Sequence, residues 1–378
     1  MDKSTTKKLF RSVAACALSA TMLFSGSCGK PKEDKKTIAV ITKQDISFWG
    51  EVKKGAEDAG NELGIDIIYN VATSDNDYAS QIEFINNAIK DKVDAIVIAP
   101  NGDAELNDAY QRASDAGIKL ININSRSSFK DIVSCVSSSD TDAGKVAARH
   151  SAEIVLNNAA LREVFAKEGA TAKDIFDVGT GAILIIGHTA EATAEPRIEG
   201  YKEECVNQMV LKAQEDNIDL TGGSGRQPSE SELKAAFEPC FIDDTQRCST
   251  IDAAYEEAKK YLSGKDGKKI LTVFATNTNT TLGVCKAIQE LELAGKVHVV
   301  GFNSDEQEIN YLRSGVADGL VVQNPYTIGY VGVSYANKAV GDNAIPSALD
   351  TGVTYVDADN LNDDYIQLLL HPDTYLWR

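Results

Sequence analysis

The chain lacks an excess of basic residues: 38 lysines and arginines stand against 56 aspartates and glutamates in 378 residues, a formal net charge of -18. Binding a polyanion draws on counterion release against a basic face, and no basic helix-turn-helix segment precedes the first apolar run, so a nucleic-acid partner is excluded. Catalytic patterns are missing too. The four histidines, His150, His188, His298 and His371, are scattered, and neither GxSxG nor HExxH occurs. Gly179-Thr180-Gly181 precedes a strand-like run instead of opening a helix, so it is not a phosphate loop. No carboxylate pair is placed for acid–base work. The expectation is therefore a protein that is not an enzyme and carries no cofactor and no metal. Seven cysteines show no CxxC spacing and read mostly as small buried apolar residues. Export, if it occurs, permits a disulfide among Cys205, Cys240 and Cys248.

What is present begins at the N-terminus. Lys3, Lys7, Lys8 and Arg11 precede the apolar run Val13 to Phe24, which stops at Ser25-Gly26-Ser27-Cys28. A basic segment, an apolar run too short to span a bilayer and small residues before a cut site mark an export signal over 1–27. The segment resembles a bacterial lipoprotein signal, which implies lipid at Cys28 and an anchor on the outer side of a membrane. Ser25 departs from the leucine commonest there, and Ser25 and Ser27 also fit simple secretion. Residues 28–36 are polar and charged, as expected of a tether.

Downstream, short runs rich in isoleucine and valine alternate with helical spacing. Thr37 to Thr42, Asp66 to Val71, Ala95 to Ala99 and Lys119 to Ile123 read as parallel strands, separated by amphipathic patterns. A second set runs from Ala182 to Gln323. Repeated strand–helix units imply an α/β fold of two doubly wound parallel sheets, with ligand beyond the carboxyl ends of the strands. Residues 156–177 and 212–234 look like insertions.

The segments after those strands carry a specific likeness. Phe48-Trp49-Gly50-Glu51, Ile123-Asn124-Ser125-Arg126, Phe274-Ala275-Thr276-Asn277, Val300-Gly301-Phe302-Asn303-Ser304 and Val322-Gln323-Asn324-Pro325 fall in the order and spacing of the periplasmic sugar-binding proteins of the ribose and galactose type. The resemblance covers about Thr37 to Pro372. It implies the type I solute-binding fold: a first lobe of 37–139 and 324–352, a second of 140–323, and a tail, 353–378, packed at the hinge. It also implies three hinge crossings, near Ser137–Asp140, Ala275–Asn277 and Gln323–Asn324. Carried over residue by residue, Phe48 and Trp49 pack on a sugar ring, and Asn124, Asn277, Asn303 and Gln323 bind its hydroxyls. An amide donates and accepts, as a hydroxyl does, and a site of amides holds no obligatory titrating group.

Further candidates are Asp45, substituting for a family amide at the position of Ile46; Ser125 or Arg126, where a lysine or arginine is usual; Arg197, either a ligand contact or a partner of Glu195 or Glu199; and Phe241, from a loop or buried under the sheet. The resemblance implies a monomeric receptor that captures a small neutral carbohydrate, a monosaccharide or polyol, for the membrane subunits of an ABC permease. A receptor presenting its ligand to a membrane kinase or chemoreceptor is the alternative.

Overall fold

A computed structural model of the chain describes residues 35–159, 162–163, 182–189, 191–215, 229, 231–232, 235, 238–265 and 267–372. The signal, Cys28 and most of both expected insertions lie outside them. The described residues from Lys36 onward belong to one compact unit. Two six-stranded sheets form its frame. The first contains β1 (Thr37–Thr42), β2 (Asp66–Val71), β3 (Ala95–Ile98), β4 (Lys119–Ile123), β5 (Ile132–Ser137) and β11 (Ala348–Asp350), in the spatial order β11-β5-β4-β3-β1-β2. The second contains β6 (Ala182–His188), β7 (Phe241–Cys248), β8 (Ile270–Ala275), β9 (His298–Phe302), β10 (Gly319–Val322) and β12 (Thr354–Asp357), in the order β12-β10-β9-β8-β6-β7. Every pairing is parallel except β10 with β12.

Alternation along the strands feeds a core on each face of each sheet, because successive side chains point to opposite faces. Ile38 and Val40 of β1 enter one cluster while Ala39 and Ile41 enter another. Ile183 and Ile185 of β6 are likewise separated from Leu184 and Ile186. Buried on both faces, such strands read as continuous apolar runs.

Each sheet is covered partly by a helix delivered from the other lobe. Helix α1 (Ser47–Leu63) of the first lobe packs against α9 (Pro325–Val340), which arrives after β10. In the second lobe α5 (Glu191–Glu215) packs against α4 (Asp140–Asn157), which arrives after β5. Both helix pairs touch backbone to backbone through glycine. A Cβ on Gly329 would lie 2.0 Å from the Val52 carbonyl oxygen, and one on Gly144 would lie 2.0 Å from that of Arg197. Backbone cannot give way as a flexible side chain can. Gly329→Ala is expected to lower unfolding stability by about 1–3 kcal/mol, the usual range for overpacking. Gly50→Ala, on the open side of α1 with nothing within 4 Å, should be neutral or slightly stabilising, since alanine is the better helix former. Denaturant titration of both variants checks this.

The chain crosses between sheets between β5 and α4, between β10 and α9, and between β11 and β12. The crossing expected at Ala275–Asn277 does not exist: β8 pairs with β6 and β9, and α7 (Thr278–Glu290), which follows it, packs within the same lobe against α6 (Ile251–Leu262) and β9. The third crossing is Thr351–Val353. It lies beside the first, where Ser138 Oγ donates to the Gly352 carbonyl (2.9 Å) and the Ser139 N–H donates to Asp350 Oδ1 (3.0 Å). The tail is also corrected. Residues 354–370 extend the second lobe through β12 and α10 (Asp364–Leu370), whose Ile366 and Leu370 pack on Ile309 and Leu312 of α8 (Glu306–Arg313). Among the described residues the five cysteines, including Cys205, Cys240 and Cys248, are buried and unpaired.

Candidate functional site

The ends of β4 and β9 hold equivalent places in the two sheets, and each is followed by an asparagine in the left-handed region. Asn124 has φ 63° and Asn303 has φ 81°, values at which asparagine is enriched among residues that carry a Cβ. Each N–H stays in its sheet: Asn124 donates to the Val136 carbonyl (2.9 Å) and Asn303 to that of Val321 (2.8 Å). The turn former and the candidate ligand residue are therefore the same residue in both lobes.

Around these two asparagines one interlobe cavity is lined by Lys43, Gln44, Ile46, Phe48, Trp49, Asp75, Asn124, His188, Thr193, Arg197, Asn277, Asn303 and Gln323. It gathers all six of the main sequence candidates. Gln323, at the second crossing, donates through Nε2 to Asn303 Oδ1 (3.0 Å), and Asn303 Nδ2 donates to Thr278 Oγ1 (3.1 Å). That chain fixes the orientation of both amides. Asn277 has a second task, since its Oδ1 caps α7 by accepting from the Thr280 N–H (3.0 Å), so a ligand contact falls to Nδ2. Phe48 and Trp49 sit in the first turn of α1, edge to face with ring centres 4.9 Å apart. Both are also rooted in the first-lobe core, with Trp49 only 4% exposed.

The weaker candidates divide. Arg197 is in the cavity wall, and its partner is neither Glu195 nor Glu199: Nε donates to Asp140 Oδ1 (2.8 Å), Nη1 donates to the Thr276 carbonyl (2.7 Å), and the guanidinium lies 3.9 Å from the centre of the Phe302 ring. Glu195 instead binds Arg247 (2.8 Å). Asp45 is exposed and outside the wall; the polar groups there come from Lys43 and Gln44, because the chain is still buried where it leaves β1. Ser125 lies one layer behind, accepting from Lys43 Nζ (2.9 Å) and donating to Asn124 Oδ1 (3.3 Å). Arg126 lies outside this wall and donates to the Ser347 carbonyl. Phe241 is on the edge strand β7, not a loop, and packs against the second-lobe core.

Lys43, Gln44, Asp75 and Thr193 escaped the sequence reading, and Lys43 and Asp75 add titratable groups to a wall whose main polar groups were expected to be amides. Burial pulls the Lys43 ammonium below the ordinary lysine range, opposed by Asp75 and Asp140, and pushes the Asp75 carboxyl up, opposed by Lys43. His188 is buried between Thr276 and Thr193, with Nδ1 and Nε2 each 2.8 Å from a hydroxyl oxygen. Burial first, then Arg197, holds its imidazole well below the usual histidine range, so it is neutral and donates through one nitrogen while accepting through the other.

Behind Asn303, Glu308 of α8 is fully buried, and its Oε2 accepts the Asp305 N–H (2.7 Å). Burial pushes its carboxyl well above the ordinary range. A carboxyl raised by folding gives stability that is complete below its unfolded pKa and lost as pH rises towards the folded one. Glu308→Gln should therefore stabilise the protein more at pH 8 than at pH 4. The gain is about 1.4 kcal/mol for each pH unit between the unfolded and folded values, read by thermal unfolding at the two pH values.

A wider groove of ≈ 520 Å³, lined by His150, Glu153, His298, Asp318 and Tyr355 among others, lies at the amino-terminal ends of β9 and β10. Open parallel sheets bind ligands at the other end.

A family model of the periplasmic binding protein domain matches residues 38–343. The chain is 25% identical over 337 residues to the ribose import binding protein of Salmonella typhimurium, covering 88% of this chain and 93% of the relative. It is 23% identical over 287 residues to the D-allose-binding periplasmic protein of Escherichia coli, covering 76% and 78%. Among solved structures, a carbohydrate transporter solute-binding protein from Agrobacterium radiobacter in complex with D-arabinose superposes with a TM-score of 0.69 at 26% identity, over 89% of this chain and 99% of that one.

Proposed function

This chain belongs to the periplasmic binding protein family, and from that premise we propose that it captures a small neutral carbohydrate between its lobes, outside the cytoplasm, and delivers it to an ABC-type importer. The observation that carries this reading is a single cavity walled by both lobes: Phe48, Trp49 and Asn124 from the first, Asn277 and Asn303 from the second, and Gln323 at a crossing. A ligand that touches both lobes favours the closed form by its differential affinity, which a ligand held by one lobe cannot do. The aromatic faces suit the C–H patches of a sugar ring, and the amides suit its hydroxyls. The buried cations each have a carboxylate nearby, Asp75 for Lys43 and Asp140 for Arg197, which favours an uncharged ligand. The ribose, D-allose and D-arabinose named for relatives support the same class.

A thermal-shift screen of pentoses, hexoses, deoxy sugars and inositols tests the reading. At a hundred times its dissociation constant a ligand adds about 2.7 kcal/mol to stability. A transition moved by amino acids or purines and by no carbohydrate would overturn it.

The receptor is held at the membrane by lipid on Cys28, a position outside the described residues. Cys28→Ala is expected to move the protein from the detergent phase to the aqueous phase while leaving ligand affinity unchanged, since two or more acyl chains hold firmly where one binds reversibly. Equal aqueous partitioning of both forms would mean that Cys28 is not acylated.

A further inference from the structure

We propose that the sugar site continues outward into a second carbohydrate subsite, so that the preferred ligand is a disaccharide; this deepens the carbohydrate reading above and rests on it. Lys43 and Asp75 line the inner cavity and also a second one of ≈ 500 Å³, within the range of roughly 300–1,000 Å³ typical of small-ligand pockets. Its wall is built from segments that follow strands in both lobes: Asn76 after β2, Asn101 after β3, Arg126 after β4, and after β6 both Thr189 and Ala192, the latter in the first turn of α5. These are the carboxyl ends of parallel strands, where open sheets take ligands.

The wall is polar in the manner a sugar requires, with the side-chain amides of Asn76 and Asn101 and the carboxylates of Asp75, Asp103 and Glu105 presenting donors and acceptors together. Asn101 is held firmly: its N–H donates to Gln81 Oε1 (2.9 Å) and its Nδ2 to the Ser74 carbonyl (2.8 Å). Its Oδ1, by contrast, is buried with no hydrogen-bond partner. Buried acceptors are nearly always satisfied, and a sugar hydroxyl supplies the donor this one lacks. The opposite side of the inner cavity is less suited. There a smaller space of ≈ 280 Å³ has a mixed wall, with Ile309, Leu369 and Leu370 beside Asn303, Asp305 and Gln323, and the Ser47 hydroxyl bridges the lobes by donating to Asp305 Oδ2 (2.8 Å). A second sugar ring therefore extends past Lys43 and Asp75 towards Asn101.

Calorimetric titration of the full protein tests this with D-galactose, D-glucose, D-xylose and D-arabinose against lactose, cellobiose, maltose and xylobiose. At least one disaccharide should bind about 10-fold more tightly than its component sugars, the gain of one or two added hydrogen bonds. Ala192→Trp fills the outer cavity from an exposed helical position. It should bring that disaccharide down to monosaccharide affinity and leave the monosaccharide unchanged. Asn101→Leu should weaken the disaccharide alone by about 10-fold. Monosaccharides binding as tightly as every disaccharide, or a disaccharide indifferent to Ala192→Trp, would overturn the second subsite and leave the carbohydrate reading standing. Binding by none of the eight sugars would also overturn the second subsite, while the carbohydrate reading stands or falls on the wider thermal-shift screen.

Discussion

Arg197→Met is expected to destabilise the protein by about 3–5 kcal/mol, because it leaves the Asp140 carboxylate buried without its partner. The pair is buried where the second lobe meets the cleft, with the two side chains only 4% and 15% exposed, so solvent does little to screen the loss. The same change removes a guanidinium from the Thr276 carbonyl and from the face of Phe302. Its position depends on the glycine contact between α4 and α5, which brings Arg197 on α5 over Asp140 at the start of α4. The double variant Arg197→Met/Asp140→Leu should recover most of the loss, since neither charge is then stranded. Urea titration of the single and double variants decides it. A single variant within about 1 kcal/mol of wild type would mean that the pair contributes no more than an exposed one.

Trp49→Ala is expected to remove most ligand affinity and also to cost the fold about 3–5 kcal/mol, the range for deleting a buried aromatic from a core. A sequence reading alone makes this ring a cleft aromatic that the fold can spare. The structure gives it two roles, because it lines the cavity while packing with Phe48, Val52 and Ile328 in the first-lobe core. Trp49→Phe separates the roles: it should restore most of the stability and part of the affinity. Calorimetry and denaturant titration on the two variants give both readings. Full affinity in a destabilised Trp49→Ala protein would take the ring out of the site.

The parts of the fold legible in the sequence were those with the strongest patterns. The central strands are buried on both faces and read as unbroken apolar runs. The edge strand β7, with the sequence FIDDTQRC, has too much polar character to read as a strand, and this is why the sequence leaves Phe241 open between a loop and a place under the sheet. The crossing misplaced at Ala275–Asn277 has its cause in pairing: nothing local tells whether a chain leaving β8 stays with its sheet or changes lobe. In the site, the amides after strands were legible because asparagine at the end of a strand both turns the chain and faces the cleft. Lys43 and Asp75 were not, since a lysine and an aspartate flanking apolar runs read as solvated turn residues. Both line a cavity whose other wall is the opposing lobe. Arg197 was found but given the wrong partner, since Asp140 lies 57 residues away and meets it only through the close helix packing.

Capture of a sugar between the lobes is tested most directly by the emission of Trp49. The chain has two tryptophans, and Trp377→Phe leaves Trp49 as the sole reporter. Titrating that protein with the sugar that most raises its thermal stability should change the emission saturably, with a midpoint matching the calorimetric dissociation constant. A sugar that stabilises the protein yet leaves Trp49 emission unchanged at saturation would be bound elsewhere, and would contradict the account.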